Sequence, residues 1–410
     1  MQGSEASDYF QSDRDLLLAQ QRQQKKEASQ GGAFSVRARV SIATASSKVL
    51  CMHIVVSDKS LHTPSDLADT TATVAVVGES GHVARRINLH TGQSLAVYRG
   101  HKGPVTAIAI EYTSDANASP AFVFTASWDK TIKKFDYSTA AQLLTFSAHS
   151  DFVKSIVLIT APQSSNSLPV LLSASADASI RKWDTSNAKL LQTWKSHTRS
   201  VESLAVHQVA FDAPIHVYSA SSDTSIRKWD FITGRLLSVF DAHLTSVYAV
   251  TVVTNEDGES ELWSASADKT VKRWDLETET PNSSFDHPDF VKCVCVYASF
   301  VITGCRDASI RIFDMTSEKC INVLEGHFDQ VSCLNVVGNR LYSASLDSSI
   351  QTWDLAEILK PRDFKLYPLS VSDMDIAQSD GRDDVPPPST LHMLSEEEEQ
   401  ELAELLEDDA

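Results

Sequence analysis

The sequence predicts an all-β fold, a ring of seven four-stranded blades forming a propeller, with flexible or helical ends. Three observations support it. An aromatic-Asp dipeptide recurs at Phe135-Asp136, Trp183-Asp184, Trp229-Asp230, Trp274-Asp275, Phe313-Asp314 and Trp353-Asp354, the aromatics lying 48, 46, 45, 39 and 40 residues apart. A near-fixed period of that size marks a repeat architecture whose units cannot fold singly. Between the dipeptides lie short runs rich in Val, Ile, Leu and aromatics, separated by polar turns, as in antiparallel strands. Four such runs fill each period, and four short strands make one blade.

Taken in order, residues 1–32 are rich in Gln, Ser and Lys, with one apolar patch at Leu16-Leu17-Leu18, and are expected to form a flexible tail. The propeller is expected over residues 33–360. A hidden repeat stands at its front: Val74 to Gly78, Val83 to Asn88 and Ser94 to His101 keep the strand rhythm, with Ile87-Asn88 in place of Trp-Asp, 48 residues before Phe135. A representative plain repeat runs from His149 through Val153 to Ile159, Val170 to Asp177 and Ser179 to Asp184, then Leu190 to Trp194. After Trp353-Asp354 come Leu355 to Lys360 and Pro361, with no clear outer strand. Phe34 to Ile42, which alternates at Val36, Arg37, Arg39 and Val40, is expected to supply that strand and close the ring, since an open edge invites aggregation. Residues 361–392 read as a linker containing Pro386-Pro387-Pro388, and residues 393–410 as an acidic helix or tail. There Ser395 and Glu398 form a capping-box pattern, and Leu402, Leu405 and Leu406 share a face.

The net charge of −18 belongs largely to this end, because residues 373–410 hold fourteen acidic side chains against Arg382 alone. An acidic chain of this kind is not expected to bind nucleic acid through bulk charge. No run of about 18 apolar residues is present, so no membrane helix is expected. Nor is there a signal-peptide pattern, which points to cytosol or nucleus. Of six cysteines, five lie between Cys293 and Cys333 in strand-like runs, and Cys293 and Cys295 share a strand face rather than a zinc-binding CxxC spacing. Buried thiols are expected, without disulfides, metal or cofactor.

The units running from a His to a Trp-Asp resemble the WD-repeat (WD40) family over about residues 34–357. The resemblance implies a hydrogen-bonded tetrad within each blade: a His before the first strand, a Ser or Thr on the second, an Asp in the turn after it and the Trp on the third. The buried indole N–H and imidazole each need a partner, and the buried Asp needs donors. The matching positions are His149, Ser173 or Ser175, Asp177 and Trp183; His197, Ser219 or Ser221, Asp223 and Trp229; His243, Ser264 or Ser266, Asp268 and Trp274; and His327, Ser343 or Ser345, Asp347 and Trp353. Two blades depart, with His101, Asp129 and Phe135 in one and His287, Asp307 and Phe313 in the other. Phe removes the indole donor there, so looser blades are expected.

A Ser, His and Asp set that recurs blade after blade is a frame, whereas a nucleophilic site is a single oriented constellation. Metalloprotease, phosphate-loop, dinucleotide and nucleophile-elbow signatures are absent from the sequence. No enzyme activity is expected.

The resemblance also implies docking at the rim that carries the His loop and the Asp turn. The side chains flanking each first strand's Val are Phe152, Lys154, Glu202, Tyr248, Phe290, Lys292 and Gln330, and those before the turn Asp are Trp128, Arg306 and Leu346. Aromatics and Arg dominate interface energetics. Asp151 to Lys154 recurs as Asp289 to Lys292, three blades away, which suggests two Phe/Lys clamps facing across the channel and preferring an acidic, hydrophobic peptide. The segment Glu396 to Asp409 is expected to compete for them. Just before the aromatic, five successive blades carry Arg86, Lys134, Lys182, Lys228 and Arg273, a possible basic arc for RNA or acidic protein, or a set of pairs with acidic neighbours. Long polar loops at Thr113 to Ser119, Thr160 to Pro169, His207 to Pro214 and Thr254 to Ser260 offer a second surface on the opposite face. The expected function is a non-enzymatic scaffold or adaptor in a multiprotein complex, the propeller itself monomeric. Alternatives are a substrate receptor of a ubiquitin-related complex and an RNA-processing or chromatin factor.

Overall fold

The computed structural model describes residues 40–55, 74–113, 119–159, 169–208, 213–241, 243–254 and 260–359. The expected tail over 1–32, the linker, the acidic helix and most of the long loops lie outside these residues, as does Phe34 to Arg39. Seven antiparallel four-stranded sheets form the blades. The first spans Val49–Val55, Val74–Glu79, Ala84–Asn88 and Ser94–Tyr98, so the hidden repeat is a full blade, with an innermost strand that the repeat pattern does not mark. Blades two to six follow from Val105 to Leu324 in the same meander. The innermost strand of each blade packs beside that of the next, and Val331–Val337 of the seventh meets Val49–Val55 of the first.

Closure uses the N-terminal side of the chain. The strand Val40–Thr44 is the outermost strand of the seventh blade, antiparallel to Ser349–Asp354 with Val40 opposite Thr352 and Thr44 opposite Ser349. Within the described residues it runs two positions past Ile42, where the segment expected from sequence ends. After Asp354 the chain turns into a one-turn helix, α1 (Leu355–Ile358), whose N-cap Asp354 accepts from the Glu357 N–H. Leu355 is fully buried at its start.

The core lies between blades. One cluster joins Ile132 and Phe146 of the second blade to Val153, Leu171 and Trp183 of the third. The next joins Ile180 and Trp194 to Val201, Val217 and Trp229. An aromatic on the outermost strand of each of the first five blades leans on the aromatic of the following blade's aromatic-Asp pair: Tyr98 on Phe135, Phe146 on Trp183, Trp194 on Trp229, Phe240 on Trp274 and Phe285 on Phe313, with centroids 5.4–5.8 Å apart. Such pairs contribute about 0.5–1.5 kcal/mol each beyond area burial. A blade therefore completes its core only against its neighbour, which is why the repeat stabilises as an array.

Candidate protein-docking face

Each blade with a Trp-Asp pair is framed by one relay of hydrogen bonds. In the third, the Trp183 indole donates to Ser173 Oγ at 2.8 Å, Ser173 Oγ lies 2.8 Å from His149 Nε2, and His149 Nδ1 lies 2.8 Å from Asp177 Oδ2. Because indole only donates, the hydroxyl donates onward to Nε2, leaving the Nδ1 proton for the carboxylate. The same relay joins Trp229, Ser219, His197 and Asp223, and Trp274, Ser264, His243 and Asp268. In the seventh blade it joins Trp353, Ser343, His327 and Asp347, with His327 Nδ1 3.2 Å from the carboxylate and 3.0 Å from Ser349 Oγ. The earlier serine of each pair is thus the relay member. The later one caps the turn, as Ser175 does by accepting from the Asp177 N–H and donating to the Asp151 carbonyl.

Burial raises the Asp177 carboxyl, but hydrogen bonds from His149 and Ser179 outweigh it and hold the group well below the carboxylate range. Asp223 and Asp268 behave alike, and Asp347 is held at about 2. Burial pushes the His149 and His197 imidazoles down against the pull of those carboxylates. Each Asp ties two segments together, since Asp177 also accepts from the Ser150 and Ser179 N–H groups. The Asp of the aromatic-Asp pair works elsewhere. Asp184 caps the turn to the outermost strand by accepting from the Ser186 N–H.

The two Phe blades differ from one another. In the second, Thr125 takes the serine's place, and His101 keeps both Thr125 at 2.8 Å and Asp129 at 2.7 Å. In the sixth, His287 keeps Thr303 but donates to the Phe285 carbonyl, and Asp307 pairs with Arg311 at 2.7 Å instead. Burial drives His287 down to about 4. The first blade, without a relay, buries Glu79 completely between Arg85 and the hydroxyls of Ser46 and Ser47.

The rim residues are set by two backbone features. The residue before the turn Asp donates its N–H to the residue just ahead of the innermost strand: Ala176 to Phe152, Arg306 to Phe290, Leu346 to Gln330 and Trp128 to Pro104. Every innermost strand also has a register shift after its first residue, for example Val153 opposite Ser175 and then Ser155 opposite Ala174. Lys154 is the extra residue there, and its equivalents are Leu50, Thr106, Glu202, Tyr248, Lys292 and Ser332. A bulge frees a side chain from the ladder and re-aims it. Seven bulges at the ends of seven adjoining innermost strands thus place a ring of side chains at one mouth of the channel.

In the occupied sector of that ring, Lys154 Nζ lies 3.9 Å from Glu202 and 5.6 Å from the Trp128 ring centre. Trp128 stacks on Phe152 at 5.2 Å and 20°. Its indole nitrogen is buried without a hydrogen-bond partner among the described residues. Lys292 Nζ sits 3.3 Å over the Tyr248 ring, and Arg306 lies 5.3 Å over Phe290. Burial pushes the Lys292 ammonium down to about 8, Glu202 opposing and Lys154 and Arg306 adding to the shift. The two Phe/Lys copies are therefore not equivalent clamps: Phe152 leans on the preceding blade's Trp128, whereas Phe290 pairs with Arg306 of its own blade. The Gln330 N–H donates to Asp329, and Leu346 stands beside it. Sequence reasoning missed two apolar members of this face, Leu244 (86% exposed) and Phe328 (40%). Both directly follow the relay His, a position that could have been singled out.

The basic row is turned within the ring rather than outward, which agrees with the second of its two expected readings, pairing with neighbours. Arg86 donates to the Tyr137 carbonyl, Lys134 to the Thr185 carbonyl and Lys182 to the Phe231 carbonyl, in each case the residue after the next blade's aromatic-Asp pair. Their charges also sit over Tyr137, Phe122 and Phe231. Lys134 pairs with Glu111, Lys228 with Glu279 and Arg273 with Glu261. Each head group is spent within or between blades, so the row fastens the ring.

A seven-bladed propeller framed by His, Ser and Trp relays is a WD-type β-propeller. A family model described as "WD domain, G-beta repeat" matches residues 92–136, 140–184, 188–230, 234–275, 279–314 and 318–354, and the chain belongs to that WD40 family. Each matched span holds the outermost strand of one blade and three strands of the next, so sequence repeat and blade are out of phase. Propellers of this family are typically protein-interaction scaffolds and generally non-enzymatic. An uncharacterised WD repeat-containing protein of Schizosaccharomyces pombe is 32% identical over 124 residues, 30% of this chain and 29% of that protein. Mitochondrial division protein 1 of Coccidioides immitis is 34% identical over 67 residues, 16% of this chain and 10% of that protein, and its Aspergillus clavatus counterpart is 32% identical over 80 residues, 19% and 12%. The chain spans less than a third of the length of these relatives.

Proposed function

We propose that this protein is a non-enzymatic scaffold that holds another protein of a multiprotein complex on its channel-mouth face. One observation carries the reading: Trp128 and Phe152 form an aromatic stack across two blades, Phe152 is 38% exposed, and the buried indole N–H beside it has no partner among the described residues. Aromatic anchors ringed by polar groups are what interface centres are made of. Six free thiols, all within strands, suit a reducing compartment such as cytosol or nucleus.

The test is quantitative co-purification of the tagged full chain against Phe152→Ala, with thermal melting as the folding control. A partner lost at least tenfold with an unchanged melt supports the face. Undiminished partners would move docking to the loop face or the terminal segments.

A further inference from the structure

At the channel mouth Lys154, Lys292 and Arg306 lie against aromatic rings, and among the described residues one of the three has a carboxylate within ion-pair distance. That carboxylate is Glu202, 3.9 Å from Lys154, which also accepts from the Ser222 hydroxyl on its Oε1 at 3.2 Å. Lys292 and Arg306 face aromatic rings, and among the described residues neither has a carboxylate within ion-pair distance. The nearby rim carboxylates bind elsewhere: Asp151 and Asp289 each accept from the N–H of the Phe that follows at 2.8 Å, and Asp307 holds Arg311. Beside these cations Trp128 adds an unpartnered buried donor, and Phe152 an exposed ring. In a chain whose net charge is −18, this sector holds two cations with no ion-pair partner and one N–H donor with no acceptor among the described residues.

We propose that this sector, from Trp128 to Arg306, recognises an acidic segment of a protein partner, its carboxylates received by Lys154, Lys292 and Arg306 and an adjoining apolar side chain laid on Phe152. The proposal rests on the channel mouth being the docking face and adds the chemistry of what docks. Carboxylates would replace ring faces and water around Lys292 and Arg306 with charge-assisted hydrogen bonds, which are shorter and stronger than neutral ones. The bulges supply the geometry, because Lys154 and Lys292 are carried on backbone fixed by flanking ladder bonds and need little ordering on binding.

The probe is a short fluorescent peptide of glutamates flanking one phenylalanine, titrated into the full chain by anisotropy, beside its all-glutamine counterpart. The glutamate peptide is expected to bind at least about tenfold more tightly than the glutamine one at low salt, with affinity falling as salt rises. The double variant Lys292→Met, Arg306→Met should lose about tenfold and flatten the salt dependence, and Phe152→Ala should lose affinity with the salt dependence kept. Equal binding of the two peptides, or unchanged binding by the double variant, overturns the proposal. Tighter binding of polyuridylate that the same double variant abolishes overturns it in favour of RNA. The two readings separate in the co-purification assay: a natural partner lost by Phe152→Ala but kept by the double variant leaves the docking face standing and removes the acidic chemistry. Near-ultraviolet circular dichroism on every variant confirms the fold.

Discussion

Ser219 serves two buried groups at once, accepting from the Trp229 indole and meeting His197 Nε2. Thr125 serves one, because Phe135 has no donor. Leaving a buried polar group unpaired costs about 1–3 kcal/mol. Ser219→Ala should therefore lose about 2–4 kcal/mol of stability and Thr125→Val about 1–2 kcal/mol, read by urea unfolding. Equal losses would show that the indole bond contributes nothing. The sequence named the pairs Ser173/Ser175 and Ser219/Ser221 but could not choose within them, since residues two apart on a strand share a face. The same limit explains the basic row. Charges at Lys134 and Lys182 were plain to read, whereas the carbonyls that hold them belong to residues about fifty positions further on.

The closing strand Val40–Thr44 covers the edge of Ser349–Asp354. Deleting residues 1–44 should lower the melting temperature and produce concentration-dependent self-association in light scattering, because the bared edge offers its backbone to other chains. A monomer with an unshifted melt would mean that the strand is dispensable. That this end closes the ring was legible from the lack of a strand after Asp354, while the alternation from Val36 to Arg39 lies outside the described residues. The innermost strand Val49–Val55 was less so: it is separated from its partner Val74–Glu79 by a long stretch and carries no aromatic-Asp mark. The bulges that aim Lys154 and Lys292 left no sequence signal either, since a bulge is a property of pairing between two strands.

Across the whole ring, buried imidazoles set the response to acid. Burial lowers His53 and His287 to about 4 from an ordinary value near 6.5. The unfolded chain then binds more protons between those values, so stability is complete above about pH 6.5 and falls as pH drops toward 4. Below that, Asp177, Asp223 and Asp268, held low in the folded state, add a further loss as they protonate. Thermal melts should be level from pH 8 to about 6.5 and decline below, with a shallower decline in His287→Gln; a melt constant down to pH 4.5 contradicts this. Closure, finally, sets a timetable for the newborn chain. Val40 leaves the ribosome long before its partner Thr352 exists. At roughly 5–20 residues per second the strand waits roughly 15–60 seconds for its place. During that interval six blades can meander into contact while the ring still gapes. The first-made strand is the last to be seated, and whatever shields it in the meantime decides between a closed ring and a tangle of neighbouring chains.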